Sequence, residues 1–276
     1  MNTKPELLYL DLIKKALSYA LWEDPGMPIE TFAYKKAFLT RILTNALSRT
    51  LRLFNYQAVR YFSHEDDQRK EGRSWPRYGE TMIGLKRLDN IQFCVESVIQ
   101  DNIEGDLIEA GVWRGGAAIF MRAILAAYQV TNRRVIVADS FEGLPKPNDK
   151  KYPQDKGDQH YVEKFLSVSK EEVEANFKKY GLLDEQVVFL KGWFKDTIPT
   201  APLDKLAVIR IDADMYKSTN DAIINLYPKL SKGGFCIVDD YIHTPCRQAI
   251  DEFRAKEKIT SPITEIDWTG VFWQKE

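Results

Sequence analysis

Four aspartates stand at the ends of two apolar runs. Asp212 and Asp214 follow Leu206–Ile211, and Asp239 and Asp240 follow the run 235–238. Between the runs, Ala222, Ile223, Leu226 and Leu230 recur at helical spacing. This is a strand–helix–strand unit, which builds parallel strands through a right-handed crossover. Parallel neighbours end on the same side, so the spacing predicts four carboxylates at one rim of a sheet, where open α/β sheets bind ligands. Crowded like charges raise one another's pKa unless something positive sits between them. A hard divalent cation meets that need through carboxylate oxygens. One acid after a strand is often a helix cap or a solvated loop residue; two pairs in the same position point to a site.

A second constellation lies upstream in GDLIEAGVWRGGAAIF. The strand Asp106–Ala110 carries Glu109 near its end and turns through Gly111, Gly115 and Gly116 into a helix starting near Ala117. Such a turn lets a ligand approach the backbone at a helix N-terminus. Its spacing, G-x-x-x-G-G, differs from the G-x-G-x-x-G of dinucleotide sites. The next strand, 135–138, ends in Asp139. An acid roughly 20–30 residues past a glycine-rich turn is placed to accept hydrogen bonds from ribose hydroxyls. Together the two features indicate a nucleoside-bearing ligand. Trp193 follows the strand 187–190, where an aromatic can flank an adenine, although core packing is the commoner role. His160 and His243 read as loop histidines; His243, just beyond Asp240, is the one within reach of a metal or substrate.

The elements that must hold these residues follow from periodicity and breakers. Leu8, Leu12, Ile13, Ala16, Leu17, Ala20 and Leu21 form one helical stripe, broken at Pro25-Gly26 and Pro28. Phe38, Leu39, Ile42, Leu43, Leu47, Leu51 and Leu53 form another. Both are too apolar to stand in water and should pack on the main domain or on a partner subunit. Residues 63–79 are charged, with Gly and Pro, a linker or lid. The following Thr81 and Met82 would border the ligand rim if the N-terminal helices fold over it. Leu85–Gln100 is helical. Residues 142–160 form a long loop, Ser169 to Glu172 is a capping box opening a helix to about Tyr180, and Pro245 precedes a last helix at 247–256. Two short segments, 263–266 and 270–273, suit an antiparallel hairpin at one sheet edge. The sum is seven strands in a mostly parallel α/β sheet. The expected division is a helical extension and lid at 1–79 and a ligand-binding domain at 80–276.

Composition excludes several classes. The chain has 276 residues, 39 basic against 40 acidic, which gives no basic face for nucleic acid. No apolar run approaches a membrane span, and the N-terminus has no signal-peptide pattern. Cys94, Cys236 and Cys246 are widely spaced without a C-x-x-C, so we expect reduced thiols, no zinc site and a cytoplasmic protein. The apolar N-terminal helices favour a homo-oligomer, a dimer or larger.

The order of glycine turn, acid after the second strand and C-terminal hairpin is similar to the Rossmann-like fold of S-adenosylmethionine-dependent methyltransferases. GDLIEAGVWRGG, ADSFEGLP, FLKGWFKDTIP, RIDADMYKST, LYPKLSKGGFCIVDDY and CRQAIDEFR resemble the macrocin O-methyltransferase family of antibiotic-tailoring enzymes. The likeness runs from about residue 80 to 273, with little in the first 79. It implies Mg²⁺-dependent methylation of a hydroxyl on a small-molecule natural product, a sugar hydroxyl or a phenol. It implies metal ligands at Asp212, Asp239 and Asp240 and a general base at Asp214. It implies cofactor contacts along Glu109, Gly111, Val112, Trp113, Arg114 and Gly115, and at Asp139, Ser140 and Phe141. The family more often has Gly where Ala213 stands.

A nicotinamide-dependent oxidoreductase would share the sheet and the ribose acid, but the glycine spacing and the four rim acids count against it. A non-catalytic protein on the same fold is opposed by the retained acids. A metal-dependent hydrolase would leave the glycine turn without a cofactor to serve.

Overall fold

The computed structural model describes residues 4–23, 26–31, 33, 37–61, 66–74 and 77–276. The expected breaker Pro25 and parts of the 63–79 segment lie outside these. The elements in order are α1 (Pro5–Leu17), β1 (Met27–Pro28), α2 (Phe38–Leu53), β2 (Val59–Arg60), α3 (Asp66–Lys70), α4 (Leu85–Gln100), β3 (Asp106–Ala110), α5 (Gly116–Ala127), β4 (Val135–Asp139), α6 (Lys170–Lys179), β5 (Val187–Lys191), α7 (Phe194–Thr197), β6 (Leu206–Ile211), α8 (Tyr216–Leu226), β7 (Leu230–Val238), α9 (Thr244–Lys256), β8 (Thr264–Glu265) and β9 (Val271–Gln274).

β3 to β9 form one seven-stranded sheet in the order β5-β4-β3-β6-β7-β9-β8. The first five in that order are parallel, and β9 runs antiparallel to both β7 and β8. The strand order reverses between β3 and β6, and open sheets bind ligands at that switch point, beyond the carboxyl ends of the strands. Side chains alternate across the sheet, as a period of two requires. Leu107, Val135 and Val137 face a core shared with α1, α4, α5 and α6. Ile108, Ile136 and Ala138 face the opposite core, with α8 and α9. Both faces are covered, so the strands read as continuous apolar runs.

Several boundaries differ from expectation: the last helix starts at Thr244 and takes Pro245 into its first turn, and β7 starts well before residue 235. Leu230 belongs to the start of β7 rather than to the helical stripe, because α8 ends at Leu226 and Tyr227–Lys229 form a 3₁₀ turn. The N-terminal stripes also present other faces than their periodicity suggested. α1 buries Leu10, Ile13 and Leu17 and leaves Leu8 and Leu12 exposed. α2 buries Thr44 and Ser48, while Phe38, Leu39, Ile42, Leu43 and Leu47 are exposed. Among the described residues no helix is long and apolar enough to cross a membrane. Cys94, Cys236 and Cys246 are free and buried.

Candidate active site

β6 and β7 pair in parallel with Ile211 opposite Val238. The residues that follow them therefore emerge side by side. Carboxylate oxygens of Asp212, Asp239 and Asp240 all lie within 4.8 Å of one another. Asp214 completes the group on a tight turn: its backbone is left-handed at φ 55°, and its N–H donates to Asp240 Oδ2 at 3.2 Å. A non-glycine residue in that region costs of order 1–3 kcal/mol, and such strain clusters at functional sites.

The sheet and α4 each supply a cation that sequence reasoning passed over. Arg210, 1 % exposed near the end of β6, donates to Glu109 Oε1 at 2.5 Å, to Asp212 Oδ2 at 3.0 Å and to Asp239 Oδ1. Arg87, in the first turn of α4, donates to the other Asp239 oxygen and, through Nε, to Asp267 Oδ2 at 2.7 Å. The signal for Arg210 was present: a charged residue inside a buried apolar strand needs partners.

These two guanidiniums do not neutralise the cluster. Burial would raise the Asp239 carboxyl, but Arg210 and Arg87 outweigh it and hold the group below the usual range. Burial, and then repulsion from Asp239, pushes Asp212 well above that range. Burial and Asp214 push Asp240 up to about 8. Burial and Asp212 push Asp214 up to about 7. Glu109 also rises to about 8 through burial, opposed by Arg210. The result is an oxygen-only donor set on two adjacent strand tips, whose crowded carboxyls hold their protons until further positive charge arrives. That fits a hard divalent cation.

Beside the cluster lies a cavity of about 440 Å³. Met82, Gly111, Val112, Trp113, Asp139, Ser140 and Trp193 line it, and Asp212 and Asp214 form its acidic lip. The glycine turn and the acid cluster are in direct contact. A Cβ on Gly111 would sit 1.7 Å from the Asp212 carbonyl oxygen, so only glycine lets the two loops meet. Asp139 accepts from the N–H of Val112 at 2.8 Å and of Phe141 at 2.7 Å. Its carboxylate is thereby fixed at the cavity wall, with the Ser140 hydroxyl 3.4 Å from Oδ1. Trp113 is held by its indole N–H on the Phe165 carbonyl, 2.9 Å.

The other expected cofactor residues stand one layer back. Glu109 lies behind Arg210. Arg114 stacks on Trp113 with 4.4 Å to the ring centroid and donates to the carbonyls of Arg77 and Gly79. Thr81 is buried and accepts from the Ile83 N–H. Gly115 is the left-handed N-cap of α5. Phe141 is buried against Phe189.

The 142–160 loop is more organised than its composition suggested. Asp155, 3 % exposed, accepts from the N–H groups of Tyr216 at 2.7 Å and Lys217 at 3.2 Å, capping α8 from outside. That anchors the loop next to Asp214. His160 pairs with Asp158 at 2.8 Å, which raises its pKa to about 9. The N–H of His243 donates to the Asp240 carbonyl.

A doubly wound seven-stranded sheet with this strand order, a glycine turn into α5, an acid at the second strand tip and acids at the fourth and fifth define a Rossmann-like methyltransferase. The Macrocin-O-methyltransferase (TylF) profile matches residues 6–275, and the chain belongs to that family. The match therefore includes the N-terminal helices, which were expected to carry little of it. Two relatives cover 97 % of this chain. The 8-demethyl-8-(2,3-dimethoxy-alpha-L-rhamnosyl)-tetracenomycin-C 4'-O-methyltransferase of Streptomyces olivaceus is 48 % identical over 92 % of its length. The demethyldecarbamoylnovobiocin O-methyltransferase of Streptomyces niveus is 49 % identical over 93 % of its length. The solved structure of the O-methyltransferase NovP superposes with a TM-score of 0.83 at 47 % identity, covering 98 % of this chain and 99 % of that one. The protein is an O-methyltransferase, and the oxidoreductase and non-catalytic alternatives fall away.

Proposed function

We propose that this enzyme transfers the methyl group of S-adenosylmethionine to a hydroxyl of a natural product, a sugar hydroxyl of a glycosylated secondary metabolite, with the help of a divalent cation such as Mg²⁺. The observation that carries the reading is the meeting of three carboxylates within 4.8 Å, of which Asp212 lines a cavity shared with the glycine turn and Asp139. When bound, the two groups supply an electrophilic methyl and a lowered pKa for a coordinated hydroxyl. Asp212, Asp239 and Asp240 would hold the cation. Gly111 to Trp113, Asp139, Ser140, Met82 and Trp193 would enclose the cofactor. Asp214 takes the proton of the acceptor hydroxyl onto its carboxylate, which lines the cavity beside Asp212. General-base help contributes about 10²–10⁴-fold. Holding donor and acceptor in line removes much of the remaining entropic barrier. One relative's name specifies a rhamnosyl-bearing substrate, which supports the sugar reading over a phenol.

The test is incubation with candidate glycosides, S-adenosylmethionine and Mg²⁺, with mass spectrometry for one added methyl. We expect transfer that stops in chelator. Transfer undiminished by chelator would sink the cation, and transfer to phenols alone would sink the sugar.

The same reading covers assembly and location. The outward face of α2 and the residues after it (Phe38, Leu39, Leu43, Leu47, Leu53 and Phe54) are each half or more exposed. With Ile42 and Tyr56 they offer on the order of 1,000 Å² of apolar area, above the roughly 800 Å² each partner gives to a stable interface. The extension at 1–79 then pairs with a second copy, and light scattering reading a monomer at micromolar concentration would refute it. The three free thiols support the cytoplasm.

A further inference from the structure

Arg87 sits where a helix least favours it. It is the third residue of α4, in the first turn, which holds no acidic side chain. A cation there opposes the helix dipole. It is also buried, with 8 % of its side chain exposed. Local rules broken at a buried position are expected where a site requires it.

Its contacts say what is required. One Arg87 nitrogen donates to Asp239 Oδ2, while Arg210 holds Oδ1 of the same carboxylate. Asp239 is therefore gripped on both oxygens and cannot rotate. Arg87 Nε donates to Asp267 Oδ2 at 2.7 Å, and the Asp267 side chain is fully buried. The other Asp267 oxygen accepts from the N–H groups of Thr269 at 3.0 Å and Gly270 at 2.9 Å. Asp267 thus ties Arg87 to the turn between β8 and β9. The same turn reaches the 71–73 segment: Trp268 donates to the Glu71 carbonyl at 2.8 Å, and Arg73 stacks over Trp268 with 4.5 Å to the centroid.

We propose that Arg87 is a positioning residue for cation binding: it holds the Asp239 carboxylate in its ligating orientation and anchors that ligand to the C-terminal hairpin through Asp267. The inference rests on the reading of Asp212, Asp239 and Asp240 as metal ligands. Partners behind a ligand set its direction, and their loss costs about 10–100-fold in metal affinity. The opposing effect is removal of a nearby positive charge, which would tighten cation binding. Orientation dominates here because, without Arg87, Asp239 keeps only its Oδ1 contact with Arg210, and Oδ2 is free to turn out of its ligating position.

The test uses Mn²⁺ as the probe, titrated into the full-length protein by calorimetry, with S-adenosylhomocysteine affinity and thermal melting as controls. Arg87→Gln should weaken Mn²⁺ binding about 10–100-fold and leave S-adenosylhomocysteine affinity unchanged. Arg87→Lys can make one contact but not both, since a lysine lacks the planar fork, and should fall between. Asp267→Asn keeps the side-chain shape and should weaken Mn²⁺ severalfold, so the idea stays testable if Arg87→Gln does not fold. A purely structural ion pair would lower the melting temperature and leave Mn²⁺ affinity alone; that result, or tighter Mn²⁺ binding, overturns the proposal. A parent enzyme that binds no Mn²⁺ would instead remove the metal reading on which it stands.

Discussion

Replacing Gly111 by alanine tests whether the glycine turn and the acid cluster form one construction. The added Cβ would lie 1.7 Å from the Asp212 carbonyl oxygen and 2.9 Å from its carbon. Ordinary non-bonded contact needs about 3.5 Å, so one loop must retreat by roughly 1.5–2 Å. Neither loop is free to do so. The Asp212 N–H donates to the Ala110 carbonyl at 2.9 Å, and the Gly111 N–H to the Ala138 carbonyl at 2.9 Å. The left-handed backbone at φ 90° adds about 1–2 kcal/mol for any residue with a Cβ. Overpacking adds about 1–3 kcal/mol. The sum, about 2–5 kcal/mol, lowers the melting temperature by roughly 4–20 °C at 2–4 °C per kcal/mol. The Asp212 carboxylate moves with its backbone, and a displacement of about 1 Å costs on the order of 10²-fold in function. We therefore expect Mn²⁺ affinity to fall about 100-fold in calorimetry while the far-ultraviolet circular dichroism is kept. Mn²⁺ affinity within threefold of the parent, at an unchanged melting temperature, would refute the argument.

Four further outcomes are expected. Asp214→Asn should abolish turnover yet bind S-adenosylhomocysteine and Mn²⁺ as the parent does, checked by calorimetry; an active variant removes Asp214 as base. Asp139→Ala should weaken S-adenosylhomocysteine binding and also destabilise the fold, because the Val112 and Phe141 N–H groups lose their acceptor at about 1–3 kcal/mol for each unsatisfied group. Asp155→Ala removes the acceptor for the first N–H groups of α8 and should cost about 0.5–2 kcal/mol in urea unfolding. The His160 pKa is raised by Asp158 to about 9 in the folded chain, above its unfolded value of about 6.5. Its stabilising contribution is full below pH 6.5 and disappears as pH rises through 9. The difference in melting temperature between parent and His160→Gln should follow that course; a difference constant from pH 6 to 10 would refute it.

Much of the architecture was readable because burial on both faces of a parallel sheet leaves unbroken apolar runs. β3, β4 and β6 matched such runs. Other boundaries shifted where local chemistry was weaker than context. Leu230 fits a helical period, yet Pro228 and the pull of the neighbouring strand end α8 and start β7. α2 shows the limit of periodicity most directly. Its amphipathic pattern was plain, but a pattern states that two faces differ and not which one the fold turns inward.

The candidate site divides along the same line. Which residues carry charge at strand ends, and that parallel strands deliver them to one rim, were matters of spacing alone, since both follow from local geometry. Which of them line the cavity was a matter of tertiary packing. Glu109 and Arg114 belong to the right motif, yet Glu109 faces Arg210 and Arg114 braces the 77–79 backbone. Arg87 and Asp267 lie far apart in sequence from the acid cluster, and Arg210, although two residues from Asp212, reaches Glu109 and Asp239 only across neighbouring strands. Only a folded chain brings a helix start, a central strand and a hairpin turn to one carboxylate, because long-range pairing of buried charge depends on distances that the chain sets through its whole fold.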